Sequence, residues 1–417
     1  MASVTFAREV THAMIRIGIV REGKIPPDNR TPFSPKQCKE IQDLFPQAEV
    51  LVQPSLIRCF SDEEYRQQGI CVQEDLQRCD ILFGVKEQRI ETLLPGKTYL
   101  FFSHTKKKQA HNQALMKALL ANRIRMIDYE CLTHNDGHRV IGFGYWAGIV
   151  GAHNGLLTYG RKTGLFDFKP VHTYRNFLEL KESYESFTPP PVKIVVTGSG
   201  RVSTGVLDIL NYLQIAEVSP DDFLHKEFPY AVFTHLKGAD LYARVDGQPY
   251  QRADFHDHPE AYRCCFLPYT RSAHILMNGI YWDKKIPRLF ECADMNHADF
   301  RLSVIADITC DEHGSVPCNV GATTIADPVY GYDRVQHMRM PPYLPGHETV
   351  EIMAVDNLPN ELPRDASKYF GGHLLTFILN DLVHGVRSPM LQRATLCENG
   401  ELTAAYTYLS DYAGLPV

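Results

Sequence analysis

Three clusters of ionisable side chains each follow directly on a short apolar run. Gly84-Val85-Lys86-Glu87 follows Asp80-Ile81-Leu82-Phe83, Ser103-His104-Thr105-Lys106-Lys107-Lys108-Gln109 follows Thr98 to Phe102, and the stretch from Arg21 to Pro35 follows Ile15 to Val20. A lysine at the end of a buried strand loses hydration and gains neighbouring cations; both lower its pKa and make a usable base near neutral pH. Imidazole is the other side chain suited to moving protons near neutrality, and His104 stands at the end of the next run. Arg30 and Arg139 carry the planar fork that binds carboxylates in bidentate fashion. Beside a hydride carrier, this set describes a reducing enzyme for a substrate with several carboxylates. The plain alternatives are a solvated lysine, a histidine that caps a helix and two surface charges.

A hydride carrier has its own signature. Lys193 to Gly205 reads KIVVTGSGRVSTG, an apolar strand, a glycine turn and the start of an amphipathic helix. Gly198 permits the tight turn, Ser199 and Gly200 let the backbone approach a pyrophosphate, and Arg201 and Val202 open a helix whose free N–H groups face the anion. Gly205, the third glycine, sits two positions later than in the usual fingerprint. An NAD site places an acid near the end of the second strand, where it binds the ribose 2′-hydroxyl. Here that region is IAEVSPDDF: Glu217 precedes the expected strand end, and Val218, Ser219 and Pro220 occupy it. Without an acid there a 2′-phosphate is not repelled, so NADP(H) is preferred over NAD(H), with Ser219 facing the phosphate and Asp221 the residue that would reverse the choice. Asn278, Tyr281 and Trp282 follow another strand and would flank the nicotinamide; for Tyr281 and Trp282 simple packing is an equal alternative.

These residues need a scaffold that presents strand ends. Strand-like runs at Ile15–Val20, Glu49–Val52, Asp80–Val85, Thr98–Phe102 and Arg125–Asp128 alternate with helical stretches, one starting at Ser34 with Pro35 in its first position and another over Gln109–Leu120. A second alternation runs from Lys193 to about Val355, with strands at Lys193–Thr197, His274–Met277 and Leu302–Asp307. The rhythm predicts an α/β chain with parallel sheets. Between the halves, residues 142–160 (GFGYWAGIVGAHNGLLTYG) predict a long helix lying close against another backbone, and the prolines of 182–192 a stiff connector. His337–Glu348 reads as irregular loop, and Pro363–Asp381 and Ser388–Leu396 as helices.

Composition sets the outer limits. The 417 residues include 43 Lys+Arg and 49 Asp+Glu, a formal charge of −6, which excludes a strongly basic nucleic-acid binder. Apolar residues at 44% and charged residues at 22% fit a folded chain of two domains. No uncharged apolar run reaches the ~18 residues of a membrane span, and the first residues lack the apolar core of a secretory signal, so a cytoplasmic protein without membrane partners is expected. A presequence of about a dozen residues is the alternative for that segment. Eleven cysteines, an odd number, fit reduced thiols rather than a disulfide framework.

At longer range the chain resembles the alanine dehydrogenase and transhydrogenase N-terminal family, and more closely the saccharopine-forming lysine–ketoglutarate reductases. The segments that carry the resemblance are FFSHTKKKQAHN, IRMIDYE, DGHRVIGFGYWAG, VVTGSGRVSTG, MNGIYWDKKIPRL, IADITCDEHGS, AVDNLPNELPRDAS and GELTAAYTYL, which span nearly the whole chain in the family's order. The resemblance implies two Rossmann-like doubly wound parallel-sheet domains with an interdomain cleft: residues 1-145 plus 356-417 for substrate and catalysis, 146-355 for the dinucleotide. It implies reductive condensation of L-lysine with 2-oxoglutarate to saccharopine, and the reverse, with small molecules and neither nucleic acid nor membrane as partners, in a monomer or a homo-oligomer. Lys86 and His104 match the family's acid–base pair, Arg30 and Arg139 its substrate-binding arginines, and Lys107 and Gln109 its HxxKxQ pattern. Asp307 and Asp311 match residues of the cleft, and Asp356 the point where the chain crosses back, there to bind the substrate amine or to cap structure. No metal is expected, because Asp307, Cys310, Asp311, His313 and Cys318 match no usual zinc spacing. The stop at 417 implies a stand-alone reductase, and residues 242–262 a loop shaping the adenosine side. An alanine or opine-type dehydrogenase would use the same Lys/His/Arg set, and a non-catalytic nucleotide-binding protein could keep the fold.

Overall fold

In a computed structural model, residues 14–345 and 348–415 are described; the first dozen residues, on which the presequence alternative rests, lie outside them. The β-branched and aromatic runs form strands. In chain order these are β1 (Ile15–Ile19), β2 (Ala48–Val52), β3 (Cys71–Val72), β4 (Ile81–Phe83), β5 (Thr98–Phe101), β6 (Arg125–Asp128), β7 (Lys193–Thr197), β8 (Ala216–Glu217), β9 (Val232–Leu236), β10 (Tyr242–Arg244), β11 (Tyr262–Cys264), β12 (Ile275–Asn278), β13 (Val304–Asp307), β14 (Val329–Asp333), β15 (Met338–Met340), β16 (Thr349–Met353), β17 (Thr395–Glu398) and β18 (Glu401–Leu402).

They build two eight-stranded sheets and a small hairpin, in two compact units: one up to Gly142 and from Pro363, the other Phe143–Leu362. The first sheet runs β18-β17-β6-β5-β4-β1-β2-β3 and the second β15-β14-β16-β13-β12-β7-β9-β8. The α/β class holds, but both sheets are mixed rather than wholly parallel. β17 lies antiparallel to β6 and to β18, and β14 antiparallel to β16 and β15. Each added antiparallel strand covers an edge that would otherwise expose unpaired backbone groups.

Local signals place several elements. Ser34 caps the Pro35–Leu44 helix through a capping box with Gln37, which lets a proline occupy the first turn at no hydrogen-bonding cost. The glycine-rich run forms the Gly144–Thr163 helix. A Cβ on Gly148 would sit 2.0 Å from the Val202 carbonyl oxygen, and one on Gly205 2.1 Å from that of Tyr145. This helix and the Arg201–Tyr212 helix therefore touch backbone to backbone, which only glycine allows.

Three expectations are corrected. The Ser388–Leu396 helix stops at Ala394, because Thr395–Glu398 pairs with β6. The segment from His337 to Glu348 contains β15, paired with β14; Gly346 and His347 lie outside the described residues. Residues 242–262 are not a loop but an ordered excursion, with β10 paired to β11 and Arg244 bonded to Asp246 and Asp254. The chain returns to the first sheet at Pro363, because residues up to Leu362 stay with the second unit, where Asn154 donates to Glu361 at 2.8 Å. Among the described residues no helix is long and apolar enough to cross a membrane.

Candidate active site

In the first sheet the chain lays β2 on one side of β1 and β4 on the other, and open α/β sheets bind ligands beyond the carboxyl ends of strands at such a reversal. Lys86 follows β4, His104 follows the adjacent β5, and Glu22 follows β1. The Glu22 carboxylate spans the gap, accepting the N–H of Val85 at 2.7 Å and of Lys86 at 2.9 Å. It is buried, and burial pushes its pKa up to about 8 against the lowering effect of those two bonds. Lys86 is half-buried; burial, followed by the charges of Arg30 and Lys24, lowers its pKa, the change that favours a neutral amine.

His104 sits in the left-handed region at φ +50°, a conformation that costs a non-glycine residue energy and concentrates at functional sites. Its neighbours hold it there. Ser103 and Thr105 are fully buried and bonded to each other at 2.7 Å, and Ser103 donates to Asp128 at the end of β6. The imidazole Nδ1 meets Glu87 Oε1 at 2.6 Å. Burial raises the Glu87 carboxyl, but the His104 hydrogen bond and charge, with help from Lys24, outweigh it and bring it down to about 2. Glu87 is therefore a fixed anion orienting the ring. Its Oε2 also faces Lys24 Nζ at 3.7 Å.

Arg30 is only 3% exposed, and Asp28 occupies one edge of its guanidinium, with Nε to Oδ1 at 2.9 Å and Nη2 to Oδ2 at 2.5 Å. Arg139 stands exposed on the turn after β6 and donates to Glu130 at 3.0 Å. Lys107 and Gln109 are exposed on the loop after β5. Glu22, Asp28 and Glu87 lie within the ionisable clusters of the sequence, yet only the folded geometry singles them out. Tyr129, whose buried hydroxyl has no hydrogen-bond partner, carries no signal in the sequence.

The second sheet reverses between β7 and β12. Gly198, at φ +104°, turns the chain there; a Cβ on it would lie 2.5 Å from the Gly279 carbonyl oxygen. Gly200 precedes the Arg201–Tyr212 helix without a side-chain cap, no acid stands in its first turn, and a Cβ on Gly200 would meet open space. Ser199, Arg201 and Val202 share this exposed or half-exposed turn, which fits the phosphates of a dinucleotide.

Asn278 and Asp307, expected beside the coenzyme, are fully buried. Register sets them opposite each other: Asn278 donates to Asp307 and Ser315, each at 2.8 Å, and accepts from Thr197 at 2.7 Å, while Asn319 holds the second Asp307 oxygen at 2.8 Å. The network pins the ends of β7, β12 and β13. Tyr281 and Asp311 are exposed, and Trp282 packs on the second unit's core. Asp356, exposed, donates its N–H to the Thr323 carbonyl at 3.4 Å. Ser219 caps the Pro220–His225 helix by accepting from Asp222 at 3.1 Å. Among the described residues no three His, Cys, Asp or Glu side chains gather as for a metal ion.

Residues 18–150 match the family model described as alanine dehydrogenase/PNT, N-terminal domain. The mitochondrial alpha-aminoadipic semialdehyde synthase of Rattus norvegicus is 32% identical over 445 residues, covering 92% of this chain and 46% of that protein. The chain thus carries a match to that family's N-terminal domain over residues 18–150. It spans about half the length of the synthases it matches. The saccharopine dehydrogenase (NAD(+), L-lysine-forming) of Yarrowia lipolytica is 24% identical over 386 residues, with 88% of this chain and 92% of that protein covered. In fold the chain is similar to an L-alanine dehydrogenase, with TM-score 0.63 at 15% identity over 95% of this chain and 99% of the other. A transhydrogenase from Sinorhizobium meliloti gives 0.57 at 13%, over 93% and 98%.

Proposed function

We propose that the chain is an oxidoreductase that condenses L-lysine with 2-oxoglutarate and reduces the product to saccharopine, and runs the reverse reaction, with a nicotinamide coenzyme, NADP(H) by preference. The observation that carries this reading is the pair Lys86 and His104 at the carboxyl ends of adjacent parallel strands, the lysine with a lowered pKa and the histidine fixed by Glu87. The substrate ammonium must lose a proton before its nitrogen attacks the ketone, and the carbinolamine must gain one before water leaves. Lys86 and His104 divide those two transfers. The coenzyme, when bound at the Gly198 turn, supplies the hydride that reduces the C=N bond. Arg139, Lys107 and Gln109 hold the substrate's carboxylates, Asp356 its amine, and Tyr281 and Asp311 flank the coenzyme. Arg30, already engaged by Asp28, acts by adding positive charge beside Lys86. All eleven cysteines are unpaired, which supports a reducing, cytoplasmic setting.

A steady-state assay with NADPH, 2-oxoglutarate and a panel of amines tests the reading. Lysine should be the productive amine; turnover with ammonia and pyruvate but none with lysine would reject it. Replacing Lys86 by Met and His104 by Gln together should lower kcat by about 10²–10⁴-fold or more and leave coenzyme binding intact.

A further inference from the structure

The strand order of the second sheet moves the position that reads the coenzyme. In a dinucleotide-binding sheet the adenosine ribose lies at the carboxyl end of the strand beside the first one. Counting along the sequence assigns that place to β8. In the sheet, however, β8 is the outermost strand and pairs only with β9, through Ala216 opposite Val232 and Glu217 opposite Phe233. The neighbour of β7 is β9, in register from Lys193 opposite Val232 to Thr197 opposite Leu236. The chain thus makes a detour through β8 and the Pro220–His225 helix before it supplies the strand that matters.

The end of β9 is joined to the glycine turn by direct bonds. Gly198 N–H donates to the Leu236 carbonyl at 3.1 Å, and His235 Nε2 meets the Gly198 carbonyl oxygen at 2.5 Å. The next residue is Lys237, exposed and extended at φ −151° and ψ 149°. From Val232 to Ala239 (VFTHLKGA) there is no carboxylate. The first acid, Asp240, is turned back to accept the N–H of Lys237 itself at 3.3 Å. Ser219 belongs to the outer strand's exit, and its hydroxyl is already capping a helix. Adjacent strands lie ~4.8 Å apart, so β8 opens one strand further from the turn.

We infer that Lys237 reads the coenzyme's 2′-phosphate and makes the second unit selective for NADP(H), an inference that rests on the dinucleotide reading of the Gly198 turn. The ammonium attracts the phosphate dianion, and no acid stands at that strand end to grip a bare 2′-hydroxyl.

The test titrates NADPH and NADH separately against the full-length protein, following nicotinamide fluorescence, so that it needs no turnover. Wild type should bind NADPH at least about tenfold tighter than NADH. Lys237→Ala should weaken NADPH about ten- to a hundredfold, the loss of one favourable charge contact, and leave NADH within about twofold. Lys237→Glu should reverse the preference, while Ser219→Asp should leave the ratio unchanged. Reversal by Ser219→Asp but not by Lys237→Glu would overturn the inference, as would equal loss of both nucleotides in the Lys237 variants or a wild-type preference for NADH. Wild type binding neither nucleotide would instead sink the dinucleotide reading itself.

Discussion

A carboxyl group withdrawn from water keeps its proton to higher pH even when peptide N–H groups favour its anion, and Glu22 is such a group, with its pKa raised to about 8. Unfolded, it would release that proton near 4.5. Between those two values the folded chain binds a proton that the unfolded chain has lost, so stability falls as pH rises through the window. Asp28 and Arg30 act on the same group with opposite sign. Glu22→Gln removes this titration. Its melting temperature relative to wild type should therefore rise between pH 5 and pH 8; a difference independent of pH would show that Glu22 is ionised in the folded state. Glu87 acts through another residue. Glu87→Gln leaves His104 its ring but loosens its placement, so kcat should fall, by up to about a hundredfold, while KM for 2-oxoglutarate changes little. A parallel rise in KM would mean that Glu87 serves binding instead.

The contact between the Gly144–Thr163 and Arg201–Tyr212 helices turns a pair of glycines into a test. Gly205→Ala would place a methyl group 2.1 Å from the Tyr145 carbonyl oxygen, and overpacking of this kind costs about 1–3 kcal/mol. Urea unfolding should show that loss, and NADPH affinity should fall as well, because the displaced helix is the one proposed to meet the coenzyme's phosphates with its N-terminus. The sequence predicts half of this arrangement. The run GFGYWAGIVGAHNGLL announces a helix in close backbone contact, but Gly205 reads as part of the phosphate turn, since nothing local reveals that its partner is Gly148. The same limit applies to Asn278 and Asp307. Their positions at strand ends are legible, whereas their mutual burial follows from the register of β12 on β13. Thr395 and Leu396 read as the end of the Ser388–Leu396 helix because they follow directly on PMLQRA; the open edge of β6, a tertiary fact, decides otherwise.

Across the whole chain, binding and stability are linked. A nucleotide that binds only the folded protein adds about 2.7 kcal/mol at a hundred times its Kd, so the melting temperature should climb steadily with NADPH concentration. A melting temperature indifferent to both NADPH and NADH would remove the coenzyme from the account. The α/β class and the positions of Lys86, His104 and Gly198 were open to reading because each sits at the junction of an apolar run and a polar turn. The reader of the 2′-phosphate was not, because sequence order places β8 before β9 while the sheet places β9 nearer β7.

The strand that closes the first sheet, β17, is encoded beyond the entire second unit. During synthesis Phe143–Leu362 emerges as one uninterrupted stretch with all the partners it needs, whereas β6 waits with an open row of N–H and C=O groups until Thr395–Glu398 leaves the ribosome. The second unit is thus the first able to mature in the cell. A nascent chain stalled short of the last hairpin leaves the β6 edge open to pairing with another chain.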